Sequence, residues 1–308
     1  MKNVLITGCA GFIGSHTVEV FLKDNYNVVG VDCLTYAASE KNMSSFIDRI
    51  TFYKEDIANR EKIDQIVKFH NIDCIINFAA ETHVDNSIDC ALPFIHSNIK
   101  GVYSLLSVCR DNNCSILQIS TDEVYGSKPE GSFTEEDILE PKNPYSATKA
   151  AAEHFIASFH NTYGVDYKIV RMSNNFGPRQ HQEKFIPTII RSLRQGKKIP
   201  IYGDGKNVRD WYYVKDCAQS ILDVYRKGKV NSTYNLSLQN EMQNVQIVKY
   251  ILEIMGLSFE DNVIFVEDRL GHDFRYSIDN KKLINLNNQK PSDFKTCLIE
   301  TINYDKYE

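Results

Sequence analysis

Short apolar runs alternate with amphipathic stretches along the first half of the chain. Continuous apolar runs predict strands, and apolar residues spaced three and four apart predict helices between them. Strands that are apolar throughout are typical of a parallel sheet with helices on both faces. The pattern therefore predicts an α/β fold with a doubly wound (Rossmann) parallel sheet. The predicted strands are Asn3–Thr7, Val28–Asp32, Thr51–Lys54, Cys74–Phe78, Ser115–Ser120 and Lys168–Met172, and the predicted helices lie near 14–24, 60–70, 97–112 and 144–163.

The pattern becomes less regular after residue 173, where proline and glycine interrupt it at positions 178, 187, 196, 200, 203 and 205. We expect a smaller α/β domain in this part of the chain. It should be discontinuous, because Val208–Asp216 and Thr233–Leu236 are expected to return to the main sheet. The predicted division is a main domain of residues 1–173 and 208–236 and a smaller domain of residues 174–207 and 237–308.

Composition and charge fit a globular enzyme. The chain has 308 residues, 43% of them hydrophobic, and a net charge of −5 without any block of like charges, which argues against a nucleic-acid surface or a membrane patch. No apolar run has membrane-spanning length, and Met1–Asn3 leads directly into the first strand without a secretion signal. The eight cysteines form no Cys-x-x-Cys pair, so we expect buried free thiols, a cytoplasmic location and no metal site.

Gly8, Gly11 and Gly14 follow the first predicted strand and open a helix. Glycines at such a turn let the backbone approach a diphosphate and let the helix pack on the strand, with the positive helix end toward the phosphates. A glycine turn alone is a weak signal. The strand before it and the helix after it make a dinucleotide site the favoured interpretation.

Asp32 ends the second predicted strand, where a carboxylate accepts hydrogen bonds from the adenosine ribose and repels a 2′-phosphate. We therefore expect NAD rather than NADP, since no Arg or Lys follows at once to receive a phosphate. The alternative is that Asp32 only ends a strand. Asp56 and Ile57 follow the third strand and would lie beside the adenine, although an ordinary turn explains them nearly as well.

Tyr145 and Lys149 are four residues apart on a predicted helix, which places phenol and ammonium on one face. A nearby Lys and a positively charged nicotinamide both favour the phenolate, so Tyr145 is a candidate base for an alcohol near neutral pH. The bare pattern is common and usually has no function. In a chain with the glycine turn, after a strand that ends in Ser120-Thr121, it favours a catalytic role.

Several motifs together resemble the extended short-chain dehydrogenase/reductases that act on nucleotide sugars. They are the glycine turn, Asp32, Asn77-Phe78-Ala79-Ala80, Tyr145-x-x-x-Lys149 and Asn174-Asn175-Phe176-Gly177-Pro178. Within that family the chain is most similar to the nucleoside-diphosphate-glucose 4,6-dehydratases. That similarity is carried by segments 80–85, 120–126, 183–187, 209–211 and 268–273.

Asp122 and Glu123 distinguish a dehydratase, because the similar sugar epimerases and decarboxylases eliminate no water and lack this pair. The resemblance implies that Tyr145 takes the O4 proton while the C4 hydride passes to NAD⁺. Glu123 would then remove the C5 proton, and a protonated Asp122 would donate to the leaving C6 hydroxyl. Thr121 would bind near O4, and Lys149 would also touch the nicotinamide ribose. Taken alone, an Asp-Glu pair after a strand is ordinarily a solvated turn.

The resemblance also implies two sets of binding residues. The NAD set is Gly8, Gly11, Phe12, Ile13, Gly14, Asp32, Leu34, Thr35, Asp56, Ile57, Ala79, Ala80, Thr82, Ser97, Ser120, Tyr145, Lys149 and Asn175. The nucleotide-sugar set is Thr82, Thr121, Asn174, Lys184, Phe185, Pro200, Ile201, Tyr202, Arg209, Asn244, Asp268, Arg269 and His272. Its cationic members would offset the diphosphate charge, and Phe185 with residues 200–202 would wall the base.

The chain departs from the family pattern at Cys9, Ser237 and Leu270, and none of these positions carries a catalytic group. They lie in peripheral loops, so dTDP and UDP both stay open as the nucleotide. The 4-keto-6-deoxyglucose product would feed rhamnose or related deoxysugar synthesis.

The resemblance implies a homodimer formed through the helices near 97–112 and 144–163, although a core-facing role explains the same apolar faces. Two alternatives to a dehydratase remain. One is a nucleotide-sugar 4-epimerase or decarboxylase on the same fold, and the other, from a different class, is a non-catalytic NAD-binding regulatory protein.

Overall fold

The structure, a computed structural model, describes residues 2–267, 274–286 and 290–304. The strands within these residues are β1 (Asn3–Thr7), β2 (Asn27–Asp32), β3 (Thr51–Lys54), β4 (Cys74–Asn77), β5 (Ser115–Thr121), β6 (Tyr167–Met172), β7 (Asn174–Phe176), β8 (Ile199–Tyr202), β9 (Val208–Tyr213), β10 (Ser232–Leu236), β11 (Glu241–Gln243) and β12 (Val263–Val266).

The helices are α1 (Phe12–Lys23), α2 (Arg60–His70), α3 (Val84–Asp89), α4 (Leu92–Phe94), α5 (Val102–Asn112), α6 (Pro144–Tyr163), α7 (Phe185–Arg194), α8 (Val214–Lys227), α9 (Asn244–Met255), α10 (Phe259–Asn262), α11 (Lys281–Leu286) and α12 (Phe294–Ile302). Short 3₁₀ helices cover Glu40–Met43, Ile47–Arg49 and Asp122–Tyr125, and a π-helix covers Ile95–Gly101.

In the described part of the chain, seven parallel strands form the main sheet in the order β10-β6-β5-β4-β1-β2-β3. Helices α1 and α8 pack over an apolar core on one face, and α2, α5 and α6 cover a second core on the other. The predicted doubly wound fold is confirmed. The strand order reverses between β1 and β4, and sheets of this kind bind ligands beyond the carboxyl ends of the strands at such a point.

Two small sheets, β11-β9-β7 and β12-β8, pack with α7, α9 and α12 around a third apolar core. The expectation for Val208–Asp216 was wrong, because β9 pairs with β7 and β11 and not with the main sheet. The return of Ser232–Leu236 beside β6 is observed. Since β9 is almost entirely buried, its apolar character did not reveal which sheet it joins. The domain bounds predicted from the sequence stay a prediction.

The predicted helix 97–112 is two segments in the structure, the π-helix Ile95–Gly101 followed by α5. Asn98 in the π-helix is buried. Its side chain accepts the Glu81 N–H at 3.0 Å and donates to the Glu81 carbonyl at 3.0 Å and to Thr148 Oγ1 at 2.9 Å. The widened turn thus ties the loop after β4 to α6, and π-turns of this kind are frequent at functional sites.

All eight cysteines lie in the described residues and are free thiols. The expectation that they are buried was wrong for Cys33 and Cys90, which are exposed. Over the residues that the structure describes, no helix combines the length and the apolar character needed to cross a membrane.

Candidate active site

The glycine turn between β1 and α1 is packed too closely for side chains. Gly8 has a φ of +68°, and a Cβ on Gly14 would lie 2.2 Å from the Gly8 carbonyl oxygen. The first turn of α1 carries no acidic residue. Its N–H groups have no partners within the helix, and Gly11–Gly14 line a cavity at the carboxyl end of β1. This is a site suited to an anion.

Asp32 at the end of β2 forms hydrogen bonds that stabilise this turn. Its carboxylate accepts the Ala10 N–H at 2.9 Å and the Leu34 N–H at 2.8 Å, and burial raises its pKa. Asp32 lines the cavity, whereas Leu34 is not part of the lining. Among the described lining residues, those that come from β2, β3 and the loops after them include no Arg or Lys. This end of the cavity is therefore poorly suited to a 2′-phosphate.

The cavity has a volume of about 310 Å³ and lies where β1, β4 and β5 end. Every residue of the predicted NAD set except Leu34 lines it, as do all the predicted catalytic residues. The structure therefore brings together groups that are far apart in the sequence, from Gly8 to Asn175. The members of the nucleotide-sugar set in the lining are Thr82, Thr121, Asn174 and Lys184.

The two candidate dehydration residues follow directly on β5. Thr121 ends the strand and caps the 3₁₀ helix Asp122–Tyr125 by accepting the Glu123 N–H at 3.3 Å. Asp122 is 4% exposed, and within the described residues its Oδ2 has no hydrogen-bond partner. Burial, followed by the charges of Glu123 and Asp210, raises the pKa of Asp122 well above its usual value of 3.8. A neutral carboxylic acid is therefore favoured at position 122.

Lys149 and Tyr145 lie one turn apart on α6, which begins directly after Asn143 with a capping box. The Lys149 Nζ donates to the Ile119 carbonyl of β5 at 2.6 Å. Burial lowers the pKa of Lys149 to about 8, and the charge of Glu153 opposes this shift. Lys149 is thus a cation at neutral pH, close to its titration range.

The Tyr145 hydroxyl is a weaker acid in the structure than we expected from the sequence. Burial and then the charge of Glu123 raise the pKa of Tyr145, with a smaller opposing effect from a hydrogen bond to Thr121. The protein alone therefore holds a phenol at this position. The sequence analysis attributed a lowered pKa of Tyr145 partly to Lys149. In the structure, positive charge from a bound cofactor has to lower this pKa.

Lys184 is a second lysine in the lining of the cavity, besides Lys149. Its Nζ donates to the Thr82 carbonyl at 3.2 Å, and burial lowers its pKa against the charges of several carboxylates, Glu183 first among them. Asn174, at the start of β7, lines the cavity beside it. Both residues line the same cavity as the NAD set, and their contacts to the nucleotide sugar stay a prediction.

Arg209 lies outside the cavity lining but next to the dehydration residues. Its Nη1 donates to the Phe274 carbonyl at 3.3 Å, and its guanidinium carbon lies 4.4 Å from the centre of the Tyr276 ring. The Arg209 charge lowers the pKa of Asp122, but less than burial and the neighbouring carboxylates raise it.

The predicted wall for the base is only partly compatible with the structure. Phe185 packs on Trp211 with ring centres 5.9 Å apart and does not line the cavity. In β8, Ile201 is buried in the third core while Pro200 is exposed and Tyr202 is half-buried. Since neighbouring strand residues point to opposite faces, Ile201 is not on the face of the other two. The structure does not support its predicted contact with the base.

Asn244 begins α9, donates its N–H to the Asn207 carbonyl at 3.0 Å and lies outside the cavity lining. Asp268, Arg269 and His272, the last members of the predicted nucleotide-sugar set, lie outside the described residues.

The sequence analysis missed several lining residues. Two of them, Glu81 and Glu183, are carboxyl groups close to each other, and burial together with the charge of Glu183 raises the pKa of Glu81. Their position beside Thr82 and Lys184 was the one signal that could have found them. The others are Cys33, Ala37, Ala38, Glu55, Phe78, Ile119, Met172, Ser173, Gln180 and His181. In the part of the chain that the structure covers, no three His, Cys, Asp or Glu side chains are grouped as metal ligands.

Comparison with known proteins agrees with this geometry. The sequence model of the GDP-mannose 4,6 dehydratase family matches residues 5–301. The chain belongs to this family. Its similarity to the 4,6-dehydratases, inferred above from short motifs, is confirmed.

Two relatives and one solved structure show how far the similarity extends. The low-salt glycan biosynthesis protein Agl12 of Haloferax volcanii is 45% identical and is matched over 98% of each chain. The dTDP-glucose 4,6-dehydratase of Xanthomonas campestris is 40% identical over 92% of this chain and 87% of its own. The crystal structure of DesIV, a dTDP-glucose 4,6-dehydratase from Streptomyces venezuelae with NAD and TYD bound, has a TM-score of 0.93 at 37% identity over 98% and 96% of the two chains.

Replacing Asp122 with Asn should stabilise this family member increasingly as the pH rises. The folded pKa of Asp122 lies above its unfolded value near 3.8, so the stability from its neutral form is complete below that pH and is lost as the pH rises through the folded pKa. Asn does not ionise. The melting temperature of Asp122→Asn should therefore exceed that of the wild type by about 2–5 °C at about pH 8, and by less at about pH 5.

Circular dichroism melts of both proteins measure this difference, with Asp48→Asn as the control. Asp48 is exposed, so the same chemical change there should have no effect that grows with pH. An Asp122→Asn protein with the same or a lower melting temperature than the wild type at the higher pH would contradict the raised pKa.

Proposed function

We propose that this protein is a nucleoside-diphosphate-glucose 4,6-dehydratase that converts dTDP- or UDP-glucose into the 4-keto-6-deoxyglucose nucleotide. The observation that carries the proposal is the buried Asp122, whose pKa is raised well above its usual value, beside Glu123 in one cavity with Tyr145 and Lys149. An epimerase or decarboxylase needs no acid for a leaving hydroxyl. The names of the relatives, several of them dTDP-glucose 4,6-dehydratases, support the same reaction.

The cofactor in this proposal is NAD. The closely packed glycine turn would hold its diphosphate at the start of α1, and Asp32 would bind the adenosine ribose. A bound NAD⁺ would supply the acceptor for the C4 hydride and, once reduced, the donor of that hydride to C6. The related DesIV structure contains NAD, which supports this assignment.

Tyr145 acts first, as the base that takes the proton from O4. Its pKa is raised by burial and by Glu123. The transfer therefore depends on positive charge that a bound nicotinamide would supply. Lys149, one turn away on α6 and with a pKa of about 8, is a cation at neutral pH that would contact the nicotinamide ribose. The resulting C4 ketone acidifies the C5 hydrogen.

Glu123 and Asp122 then carry out the elimination. Glu123 takes the C5 proton, the C6–O bond breaks, and Asp122 donates its proton so that the oxygen leaves as water. Glu123 later returns a proton to C5. The proton that Tyr145 took from O4 restores Asp122, so the net change is the loss of one water. A carboxyl group kept neutral by burial suits the donor role.

The reaction itself is tested by incubation with dTDP-glucose and with UDP-glucose, each followed by NMR. A new C6 methyl signal and a 4-keto product with one or both nucleotides are expected. The relative yields decide which nucleotide is preferred. A C4 epimer without a methyl group would indicate an epimerase, and bound NAD without turnover of either substrate would indicate a non-catalytic NAD-binding protein.

The separate roles of the two carboxyl groups are tested by Asp122→Asn and Glu123→Gln. Both should slow elimination by about 10²-fold or more while sparing C4 oxidation, so reduced cofactor accumulates in a single turnover. Only Asp122→Asn should still exchange the C5 hydrogen with D₂O, because its base is intact. Equal loss of oxidation and elimination in Asp122→Asn would contradict the assigned role.

We further propose a homodimer formed by the helices around α5 and α6. These helices bury one face in the core, yet they also expose large apolar side chains, among them Ile95, Tyr103, Phe155 and Tyr163. Tyr103 and Phe155 touch, with ring centres 6.4 Å apart, and Leu92 on α4 is 72% exposed. A contiguous apolar surface of this kind is typical of an interface.

Sedimentation or size exclusion tests the dimer with the double variant Leu92→Glu/Phe155→Glu. It should be monomeric, because two charges would have to be buried in the interface. Phe69→Glu is the control, since Phe69 is an exposed aromatic residue on α2 and should tolerate the change as a dimer. A monomeric wild type, or a double variant that stays dimeric, would contradict this surface.

We also propose that the protein functions in the cytoplasm. All eight cysteines are free thiols, as is usual in a reducing compartment. The product would feed rhamnose or related deoxysugar synthesis. The name of the Haloferax volcanii relative, a glycan biosynthesis protein, supports such a place.

A further inference from the structure

A buried ion pair contacts the residues on either side of Asp122 and Glu123. Arg171 on β6 donates to Glu153 on α6, with Nη2–Oε2 at 2.6 Å and Nε–Oε2 at 3.0 Å, and both side chains are less than a tenth exposed. Two charges removed from water carry a large desolvation cost, and apolar residues of the same volume often stabilise a protein as well or better. Stability alone is therefore a weak reason for this pair.

The same ion pair holds both ends of the segment that carries Thr121, Asp122 and Glu123. At its start, the Ser120 Oγ donates to Glu153 Oε1 at 2.5 Å. At its end, Arg171 Nη1 donates to the Tyr125 hydroxyl at 2.6 Å. These two contacts are charge-assisted, which makes them stronger than ordinary hydrogen bonds.

Hydrogen bonds within the segment are longer. The Thr121 Oγ1 accepts the Glu123 N–H at 3.3 Å and donates to Asp122 Oδ1 at 3.3 Å, and the Gly126 N–H reaches the Glu123 carbonyl at 3.2 Å. A 3₁₀ helix of four residues has poor hydrogen-bond geometry of its own. Its position therefore depends on contacts outside the helix, which include the pairing of β5 with β6, the burial of Val124 and Tyr125 and the two charge-assisted contacts at its ends.

The network continues beyond Tyr125. Its hydroxyl donates to Asn235 Oδ1 on β10 at 2.8 Å, and its ring stacks on Phe133 with centres 5.0 Å apart. Glu153 lies one helical turn after Lys149 on α6. The ion pair thus connects the segment with the dehydration groups to the helix that carries Tyr145 and Lys149.

We propose that Glu153 and Arg171 are positioning residues, whose ion pair fixes the segment Ser120–Tyr125 against α6 and so places Asp122 and Glu123 for elimination. The inference rests on the proposed function for the roles of those two carboxyl groups. Oxidation at C4 uses the base Tyr145 and the cation Lys149, which α6 carries, and of the segment's side chains only Ser120 and Thr121 at its β5 end belong to the residues assigned to that step. Loosening the segment should therefore slow elimination more than oxidation.

Tyr125→Phe tests this with little risk to the fold, because it removes one hydroxyl and keeps the ring. Tyr212→Phe is the matched control: Tyr212 is as fully buried as Tyr125, and its hydroxyl bonds Ser220 Oγ at 2.7 Å, outside the cavity lining. In single turnovers, Tyr125→Phe should slow elimination by about tenfold to a hundredfold with oxidation nearly unchanged, so that reduced cofactor accumulates. Tyr212→Phe should show neither effect.

Amide hydrogen exchange of the purified protein gives a readout that needs no turnover. Peptides covering residues 120–126 should exchange faster in Tyr125→Phe than in Tyr212→Phe. Arg171→Lys should behave like Tyr125→Phe, because an ammonium group lacks the fork that reaches both partners. Equal partition between oxidation and elimination in Tyr125→Phe and Tyr212→Phe would overturn the positioning role, whatever the exchange data.

A wild type that makes no 4-keto-6-deoxy product would instead refute the proposed function. In that case, unchanged exchange in Tyr125→Phe would refute the anchoring as well, while faster exchange would support the anchoring alone.

Discussion

Burial of one carboxyl group directly beside another is the constraint on which the site depends. Asp122 is enclosed at the end of β5, and the charge of Glu123 next to it adds to the cost of ionisation. Because a second negative charge beside a partly buried carboxylate is expensive, the neutral form of the buried Asp122 is favoured. In the proposed reaction this pair serves as acid and base, the combination that removal of water from neighbouring carbons needs.

The topology of the sheet brings these groups to the cofactor. Since the parallel strands all end at one edge, the glycine turn after β1, the loop after β4 and the segment after β5 meet in one cavity. Tyr145 and Lys149 approach from α6, which the Lys149 contact to Ile119 ties to β5. The ion pair of Glu153 and Arg171 then fixes the relation between helix and strand end. The chemistry is local, but its geometry is set by contacts between distant parts of the chain.

The main sheet and the glycine turn were predictable because their signals are local. Apolar runs bounded by turns define β1 to β6, and strand, turn and helix occur in sequence around Gly8. The partners with which a strand or a helix packs are not determined by the local sequence. The buried strand β9 joins a small sheet, and the π-helix at Ile95–Gly101 depends on contacts of Asn98 with Glu81 and Thr148, both distant in the sequence.

The same distinction applies to the site. Spacing and motif placed Asp122, Glu123 and Lys149 in the cavity. Desolvation shifts the pKa values of Asp122 and Lys149, and it has no signature in a sequence. The pKa of Tyr145 moves up instead of down for this reason. We expected Ile201 to contact the base because it lies between Pro200 and Tyr202 in the sequence. Side chains alternate along a strand, however, and the Ile201 side chain points into the core.

The protonation state of Asp122 is the most direct test of this account. An infrared difference spectrum between the wild type and Asp122→Asn at neutral pH isolates the side chain at position 122. The account predicts the carbonyl stretch of a protonated carboxylic acid in the wild type and its loss in the variant. Carboxylate bands at neutral pH, with no band from a protonated acid, would contradict it.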